Sequence, residues 1–364
     1  MVKIMNIAVL VSGGVDSSVA LQLLRDQGHT VTAYYLKIWL EDELSYLADC
    51  PWQQDLGYVQ AVCDQLGVSL QVVSLQQEYH EYVVKYTIEQ VKMGNTPNPD
   101  MLCNKLIKFG FFMDRYGHAY DKVATGHYAQ VTHTDNGQVS LRCAPDPVKD
   151  QTYFLSQLSQ TQLQKILFPI GHLHKAQVRA LALRYNLPNK DRKDSQGICF
   201  LGNFKFRDFV RAYAGEAHGD LVELETGTTV GTHNGFWFYT IGQRQGLGLS
   251  GGPWFVVRKD IQTNTVFISR DYYDTHKQRN RCLVQHCNWI NDLDLGTTAL
   301  RVKLRHGPQV HDCLVFKKAD GSMEVQLMHQ DQGIAPGQFA VFYNGDTCLG
   351  GGVIVEWDVL NLNH

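Results

Sequence analysis

The feature that most limits what this chain can fold into is a short loop, Ser12-Gly13-Gly14-Val15-Asp16-Ser17-Ser18. It lies between an apolar run, Ile7–Val11, and a segment, Asp16–Gln27, that carries Val19, Ala20, Leu23 and Leu24 at helical spacing. That order predicts a strand, a tight turn and a helix. Glycines let backbone N–H groups come close to an anion. The helix that follows adds free N–H donors and a partial positive charge. Ser12, Ser17 and Ser18 offer hydroxyls, and Asp16 can cap the helix and help hold Mg²⁺. A capped turn that binds nothing is the plain alternative. Against it stands the position at the carboxyl end of a first strand, where open α/β sheets take their ligands. The loop is not a Walker A motif, because the chain has no Gly-Lys dipeptide, and kinase and GTPase chemistry recede with it.

The alternation continues downstream. Thr30–Leu36, Leu70–Leu75 and Lys122–Thr125 read as strands, and Leu56–Leu66, Glu78–Met93 and Cys103–Tyr116 as helices. Asn95-Thr96-Pro97-Asn98-Pro99 must end the helix before it. Strands separated by helices imply an α/β domain with a doubly wound parallel sheet. Val139–Cys143, after Asp135-Asn136-Gly137, reads as a hairpin arm added to that sheet. Helices are expected to dominate from Gln151 to about Ala214. Beyond Gly215 short β-branched and aromatic runs take over: Phe236–Ile241, Trp254–Arg258, Thr265–Ser269, Ala299–Leu304, Asp312–Phe316, Glu324–Met328, Gln338–Tyr343 and Gly352–Trp357. Their spacing predicts small β-rich modules. The expected division is 1–214, 215–280 and 281–364. Gly246-Leu247-Gly248-Leu249-Ser250-Gly251 matches GxGxxG, but it runs into Gly252-Pro253 with no βαβ unit around it and reads as a turn.

Length and composition fit this layout. The 364 residues suit two or three domains at roughly 100–200 residues each. No run approaches the ~20 apolar residues that span a bilayer, and the first residues lack a signal or transit pattern. A cytoplasmic protein with no membrane partner is expected. The nine cysteines (50, 63, 103, 143, 199, 282, 287, 313 and 348) are odd in number and contain no CxxC pair, which argues against a disulfide scaffold or a zinc ribbon. Charge is uneven under a net −3: residues 1–100 hold 5 basic against 12 acidic side chains, 175–211 hold 9 against 3, and 277–318 hold 8 against 3. Two basic segments in an acidic chain suit a local phosphate-binding surface, or are two solvated faces.

Two cysteines sit in marked surroundings. In Asn98-Pro99-Asp100-Met101-Leu102-Cys103-Asn104-Lys105 the prolines set an extended entry, and Cys103 falls near a helix start, where a thiol pKa is lowered. Asp100 could cap that helix or act as an acid/base. In Asp194-Ser195-Gln196-Gly197-Ile198-Cys199-Phe200 the cysteine follows Lys190, Arg192 and Lys193, and cations favour a thiolate. For each, a buried core cysteine is the plain alternative.

Taken in order, SGGVDSS, TPNPDxxCNxxIKF, ATGHYA (Ala124–Ala129), KDQTYFL (Lys149–Leu155), DSQGICF, Tyr239–Gly248 and Pro336–Tyr343 resemble the tRNA-specific 2-thiouridylases, the MnmA/TrmU family within the PP-loop ATP pyrophosphatases. The resemblance spans essentially the whole chain. It implies a PP-loop α/β domain followed by two small β-rich domains, the last a β-barrel. It implies adenylation of O2 of the tRNA wobble uridine by ATP, with Mg²⁺, then sulfur delivery to C2 and loss of AMP. Cys199 would carry a persulfide, Cys103 would release its sulfur and form a disulfide with it, and Asp100 would be the acid/base. Leu10, Val11, Ser12, Gly13, Gly14, Val15, Asp16, Ser17, Leu36 and Gly126 would surround ATP. Asn98, Pro99 and Asp100 would meet the target base, and His127, Lys149, Asp150, Gln151, Arg305, His306 and Gln338 would touch tRNA. Leu36 replaces the family's usual Met, and Leu40–Gln54 matches loosely. The resemblance also carries an alternative in which Asp100, Cys103 and Cys199 hold a [4Fe-4S] cluster. The implied partners are Lys, Glu and Gln tRNAs and a sulfur-relay protein or cysteine desulfurase, with nothing demanding more than a monomer. The chemistry is coherent: adenylation turns a poor leaving oxygen into AMP, a second thiol breaks the persulfide S–S bond, and the base must leave its stack. Two other readings are a PP-loop ligase acting on a small molecule, which needs no cysteine pair, and a tRNA-binding module without ATP turnover.

Overall fold

The structure is a computed structural model that describes residues 3–38, 52–134, 137–194, 205–272, 274, 279–291 and 300–357. Its first domain is built on a five-stranded parallel sheet in the order β3-β2-β1-β4-β7. The strands are β1 (Asn6–Leu10), β2 (Thr30–Lys37), β3 (Leu70–Ser74), β4 (Lys122–Thr125) and the short β7 (Ile166–Leu167). β1 is buried on both faces, so its side chains feed two cores. Ile7, Val9 and Val11 pack with α1 (Val15–Asp26) and α2 (Trp52–Leu66), whose apolar faces include Leu21, Leu24, Val59 and Val62. Ala8 and Leu10 pack on the other side with α3 (76–92), α4 (99–116) and Phe209 and Val210 of α8 (Phe206–Ala214), in the same core as Cys103 and Ile107. Between them come α5 (Thr152–Leu155), α6 (Gln160–Lys165) and α7 (Lys175–Arg184). The chain reverses its winding between β1 and β4, which makes their carboxyl ends the switch point of the sheet.

The hairpin departs from the sequence reading. β5 (Ala129–His133) and β6 (Val139–Cys143) do not extend the parallel sheet. β6 pairs antiparallel with β17 (Thr347–Trp357), Thr347 opposite Arg142 and Cys348 opposite Leu141. The reason is a second hydrophobic face: Val139 and Leu141 bury against Phe339, Val341, Tyr343 and Cys348 of the last domain. Side-chain amides reinforce the join, with buried Gln157 donating to the Gly351 carbonyl at 2.7 Å and half-buried Asn288 to the Ser156 and Leu158 carbonyls at 3.0 Å.

The central sheet has the order β10-β11-β8-β9, from β8 (Gly219–Glu223), β9 (Thr229–His233), β10 (Phe255–Asp260) and β11 (Thr265–Ser269). Phe236–Ile241 is not a strand; Phe236–Phe238 makes one tight helical turn over the central core. The GxGxxG segment contains no helix, and Gly246, Gly248 and Gly251 all take positive φ. The last domain closes on itself. β12 (Arg281–Trp289), β15 (Met323–Leu327), β14 (His311–Lys317), β13 (Leu300–Lys303), β16 (Phe339–Asn344) and β17 pair in turn, and β12 pairs with β17 to complete a six-stranded barrel. Among the described residues no helix is long and apolar enough to cross a membrane.

Gly351 sits where β16 and β17 meet, and a Cβ there would lie 2.2 Å from the Ala340 carbonyl oxygen. Gly351→Ala is therefore expected to lower stability by about 1–3 kcal/mol. Urea titration should show a lower midpoint at unchanged slope.

Candidate active site

β1 runs out at Leu10 and Val11, and the chain turns through Ser12–Gly14 into α1. The helix begins after Gly14 with no side-chain cap, so the expected capping role of Asp16 is not realised. Among the described residues the N–H groups of Gly13, Gly14, Val15, Asp16 and Ser17 have no protein acceptor, as the open first turn of a helix allows. The turn is held from inside. Ser12 N–H donates to Ser17 Oγ at 3.2 Å, and the Ser17 and Ser18 hydroxyls both donate to the Gly14 carbonyl at 3.1 Å. Gly13 has φ +79°, and a Cβ on it would lie 2.7 Å from the Asp55 carbonyl oxygen. From the neighbouring strand exit, a Cβ on Gly126 would lie 2.6 Å from the Ser17 backbone nitrogen. The free donors thus stand where the exits of β1 and β4 press together. Leu36, on β2, packs partly buried against the core that holds Leu10.

Asp16 points its charge elsewhere. Its oxygens accept from Lys175 Nζ at 2.7 and 2.9 Å and from the Tyr128 hydroxyl at 2.9 Å. Lys175 also meets Asp194 at 2.8 Å, and Asp194 accepts from Lys149 at 2.7 Å and from Arg179. Burial works to raise the Asp194 pKa, but hydrogen bonds from Lys149 and Lys175 outweigh it and hold the carboxyl well below the usual range. Burial and then the Asp16 carboxylate push the Tyr128 phenol far up. Two cations of the basic segment 175–211, Lys175 and Arg179, are therefore neutralised internally. Sequence reasoning registered Lys175, Arg179 and Arg192 as charge alone and missed Asn189 and Tyr128, whose partners lie far away in the chain.

α4 starts at Pro99, earlier than the expected Cys103, because proline's fixed φ suits the first helical position. Cys103 consequently lies in the second turn, with its own N–H already donating to the Pro99 and Asp100 carbonyls. Its free thiol is 1% exposed. Burial pushes it up to about 11, although Lys108 pulls it down. The expected lowering does not occur, since the helix's free donors are one turn away and desolvation disfavours the thiolate. Lys108 donates to Asn104 Oδ1 at 3.1 Å. Burial and then the same Lys108 charge drive the His127 pKa well down. The His127 ring lies 6.2 Å from Phe109 and 6.0 Å from Phe168. Gly126 and His127 are consecutive, so one short strand exit touches the phosphate-type loop with one residue and the Cys103 neighbourhood with the next. Cys199 falls within 195–204, outside the described residues.

All three domains meet at the entry to α4. Thr96 N–H donates to the Pro336 carbonyl at 2.7 Å, Gln338 Nε2 to the Thr96 carbonyl at 3.2 Å, and the Thr96 hydroxyl to Thr240 at 3.3 Å. The Asn98 side chain hydrogen-bonds the Tyr153 phenol, which donates to the Phe339 carbonyl at 3.2 Å. The His306 ring lies 4.5 Å from that of Phe154, tilted by 37°, and within the field of Asp100. Asn98, Pro99, Asp100, His306 and Gln338 are thereby gathered at one junction. Other expected RNA contacts have internal partners. Asp150, 4% exposed, accepts from Ala144 N–H and the Thr152 hydroxyl and pairs with Lys303 at 3.6 Å. Gln151 accepts from the Tyr128 N–H at 2.9 Å, and Lys149 is engaged by Asp194. Arg305 makes a two-pronged contact with Asp331 at 3.1 and 2.8 Å. Burial would raise the Asp331 pKa, yet His311 and Arg305 hold it at about 2.

Comparison with known proteins finds matches along three parts of the chain. Family models match a tRNA methyl transferase HUP domain over residues 5–203, a tRNA methyl transferase PRC-barrel domain over 207–270 and an aminomethyltransferase beta-barrel domain over 279–354. The tRNA-specific 2-thiouridylase MnmA of Parabacteroides distasonis is 47% identical over 359 residues, covering 97% of this chain and 99% of the relative. That of Porphyromonas gingivalis is 46% identical over 362 residues, covering 97% and 99%. Among solved structures, the U34-tRNA thiolase NcsA from Methanococcus maripaludis with its [4Fe-4S] cluster is 15% identical over 50% of this chain and 58% of that one, at a TM-score of 0.32, too low to carry an inference. With relatives this similar along almost its whole length, the chain belongs to the tRNA-specific 2-thiouridylase family.

Proposed function

We propose that this protein makes 2-thiouridine at the wobble position of tRNA at the expense of ATP. The observation that carries the reading is the row of N–H donors from Gly13 to Ser17, unpaired among the described residues and one residue's width from the surroundings of Cys103. Leu10, Val11, Ser12, Gly13, Gly14, Val15, Asp16, Ser17, Leu36 and Gly126 are assigned to ATP. Asn98, Pro99 and Asp100 are assigned to the target base, and His127, Lys149, Asp150, Gln151, Arg305, His306 and Gln338 to the tRNA. For Asp150, Gln151 and Arg305 the internal partners support an indirect part, as braces of the surface. Residues 1–214 are taken as the catalytic domain, with 215–280 and 281–364 as the two β modules.

In the first step uracil O2 attacks the α-phosphorus, pyrophosphate leaves, and Asp100 takes the N3 proton. The N–H row stabilises the charge on the phosphates. In the second, the terminal sulfur of a Cys199 persulfide attacks C2. Cys103 then attacks the Cys199 sulfur, the S–S bond breaks, sulfur stays on C2, and the C2–O2 bond breaks to release AMP. The two cysteines end as a disulfide, which external thiols reduce. Among the described residues no three His, Cys, Asp or Glu side chains converge to hold a metal. Asp16 is the carboxylate at the loop, so a Mg²⁺ would arrive with the nucleotide phosphates and compete with Lys175 for it. The alternative cluster set, Asp100, Cys103 and Cys199, includes a residue outside the described ones. Lys, Glu and Gln tRNAs, a sulfur-relay protein or cysteine desulfurase, and a cytoplasmic setting complete the reading.

Incubation with unmodified tRNA, Mg²⁺-ATP and a sulfur source, followed by nuclease digestion and mass analysis, should reveal 2-thiouridine. Cys103→Ala and Cys199→Ala should yield none, and full activity without added iron in the absence of air would speak for the persulfide over the cluster. Wild-type protein that cleaves ATP with a small-molecule acceptor but leaves tRNA unmodified would transfer the assignment to a ligase. Gly126→Ala should raise the KM for ATP about tenfold or more, about 1.4 kcal/mol, because its methyl displaces the Ser17 N–H. In the protein without tRNA, peptide mapping after iodoacetamide should find Cys103 unlabelled at pH 7 and increasingly labelled toward pH 9, as its thiolate fraction grows toward the value near 11. Rapid labelling at pH 7 would contradict the buried thiol.

A further inference from the structure

The Gly13 carbonyl is gripped from outside the loop. Asn189 Nδ2 donates to it at 2.8 Å and Arg192 Nη1 at 3.1 Å, which fills both acceptor positions of that oxygen. Asn189 also donates to Ser18 Oγ at 2.9 Å, and the Ser18 hydroxyl donates to the Gly14 carbonyl at 3.1 Å. Asn189 is 1% exposed, and its Oδ1 is buried without a partner among the described residues. Arg192 is steadied by an ion pair with Asp55 and by the Tyr58 ring 4.9 Å away.

From this geometry we infer that Asn189 and Arg192 are positioning residues for ATP. In a trans peptide the carbonyl and the following N–H point in opposite directions. Fixing the Gly13 carbonyl toward Asn189 and Arg192 therefore fixes the Gly14 N–H on the other side. Fixing the Gly14 carbonyl through Ser18 does the same for the Val15 N–H. Glycine at φ +79° has little intrinsic preference for this orientation, so the plane is set by its partners. The loop's donors are aimed before the nucleotide arrives, and binding need not pay to turn them. Neither residue reaches the phosphates by this argument; both act through the 13–14 peptide. The inference rests on the loop being the ATP site.

The test compares Asn189→Asp with wild type in the full protein, measuring the ATP dissociation constant by calorimetry, KM for ATP and for tRNA, and the melting temperature. The substitution keeps the side chain's shape and replaces the donor with a carboxylate facing the Gly13 oxygen. Weakening of ATP by at least about tenfold, with KM for tRNA within about twofold and melting within a few degrees, is expected. Arg192→Met, at a partly exposed site, should show a smaller effect in the same direction, and Arg192→Lys should restore part of it. Unchanged ATP affinity in both Asn189→Asp and Arg192→Met would overturn the inference. So would a parallel loss of ATP affinity, tRNA affinity and thermal stability, which would mark a general structural role. Wild-type protein that does not bind ATP would overturn the proposed function itself.

Discussion

Strand β1 delivers five backbone N–H groups, Gly13 to Ser17, that no protein group accepts among the described residues. Open donors at a helix start are ordinary on a surface. Here they lie at the crevice of a doubly wound sheet, hemmed by Gly126 on one side and the Asp55 carbonyl on the other. Both neighbours come so close that a side chain on either glycine would collide. The packing around the loop is therefore built to keep backbone close to backbone. That closeness lets a small patch of the molecule present several donors to one anion.

The same economy of space links the loop to the thiol. Gly126 abuts the loop and His127 shares the field of Lys108 with Cys103. Cys103 is protected by burial, and the protection raises its pKa rather than lowering it. In the proposed mechanism, a Cys103 thiol kept neutral until the substrate is in place would not attack a persulfide prematurely. The segment that leads to it, 95–99, is fastened to both β modules through Thr240, Pro336 and Gln338. The β modules are thus part of the scaffold of α4, and the β5–β6 hairpin, by joining β17, fixes the barrel to the α/β domain at a second point.

Much of this was legible in the residues. The run Ile7–Val11 followed by Ser12-Gly13-Gly14 located the first strand, the turn and the helix, because strand periodicity, glycine and helix spacing are local signals. The four principal strands of the first sheet and most strands of the barrel followed from the same signals. Phe236–Ile241 misled, since an aromatic run pairs as a strand only if a neighbour offers a free edge, and here it turns to cover a core instead. The hairpin misled for a related reason: Asp135-Asn136-Gly137 marked the arm Val139–Cys143, but not which sheet would receive it.

Local sequence determined the chemistry available: a glycine-rich turn before a helix, cysteines in two distinct settings, and prolines that end the helix before α4. It did so because backbone preference and residue type act over a few neighbours. Tertiary structure determined how that chemistry is tuned. Asp16 meets Lys175 across 159 positions, and Asn189 meets Gly13 across 176. The burial of Cys103 depends on a core assembled from β1, α3, α4 and α8. Charge pairing, desolvation and the aim of a peptide plane are properties of surroundings, and surroundings exist only once the chain has folded.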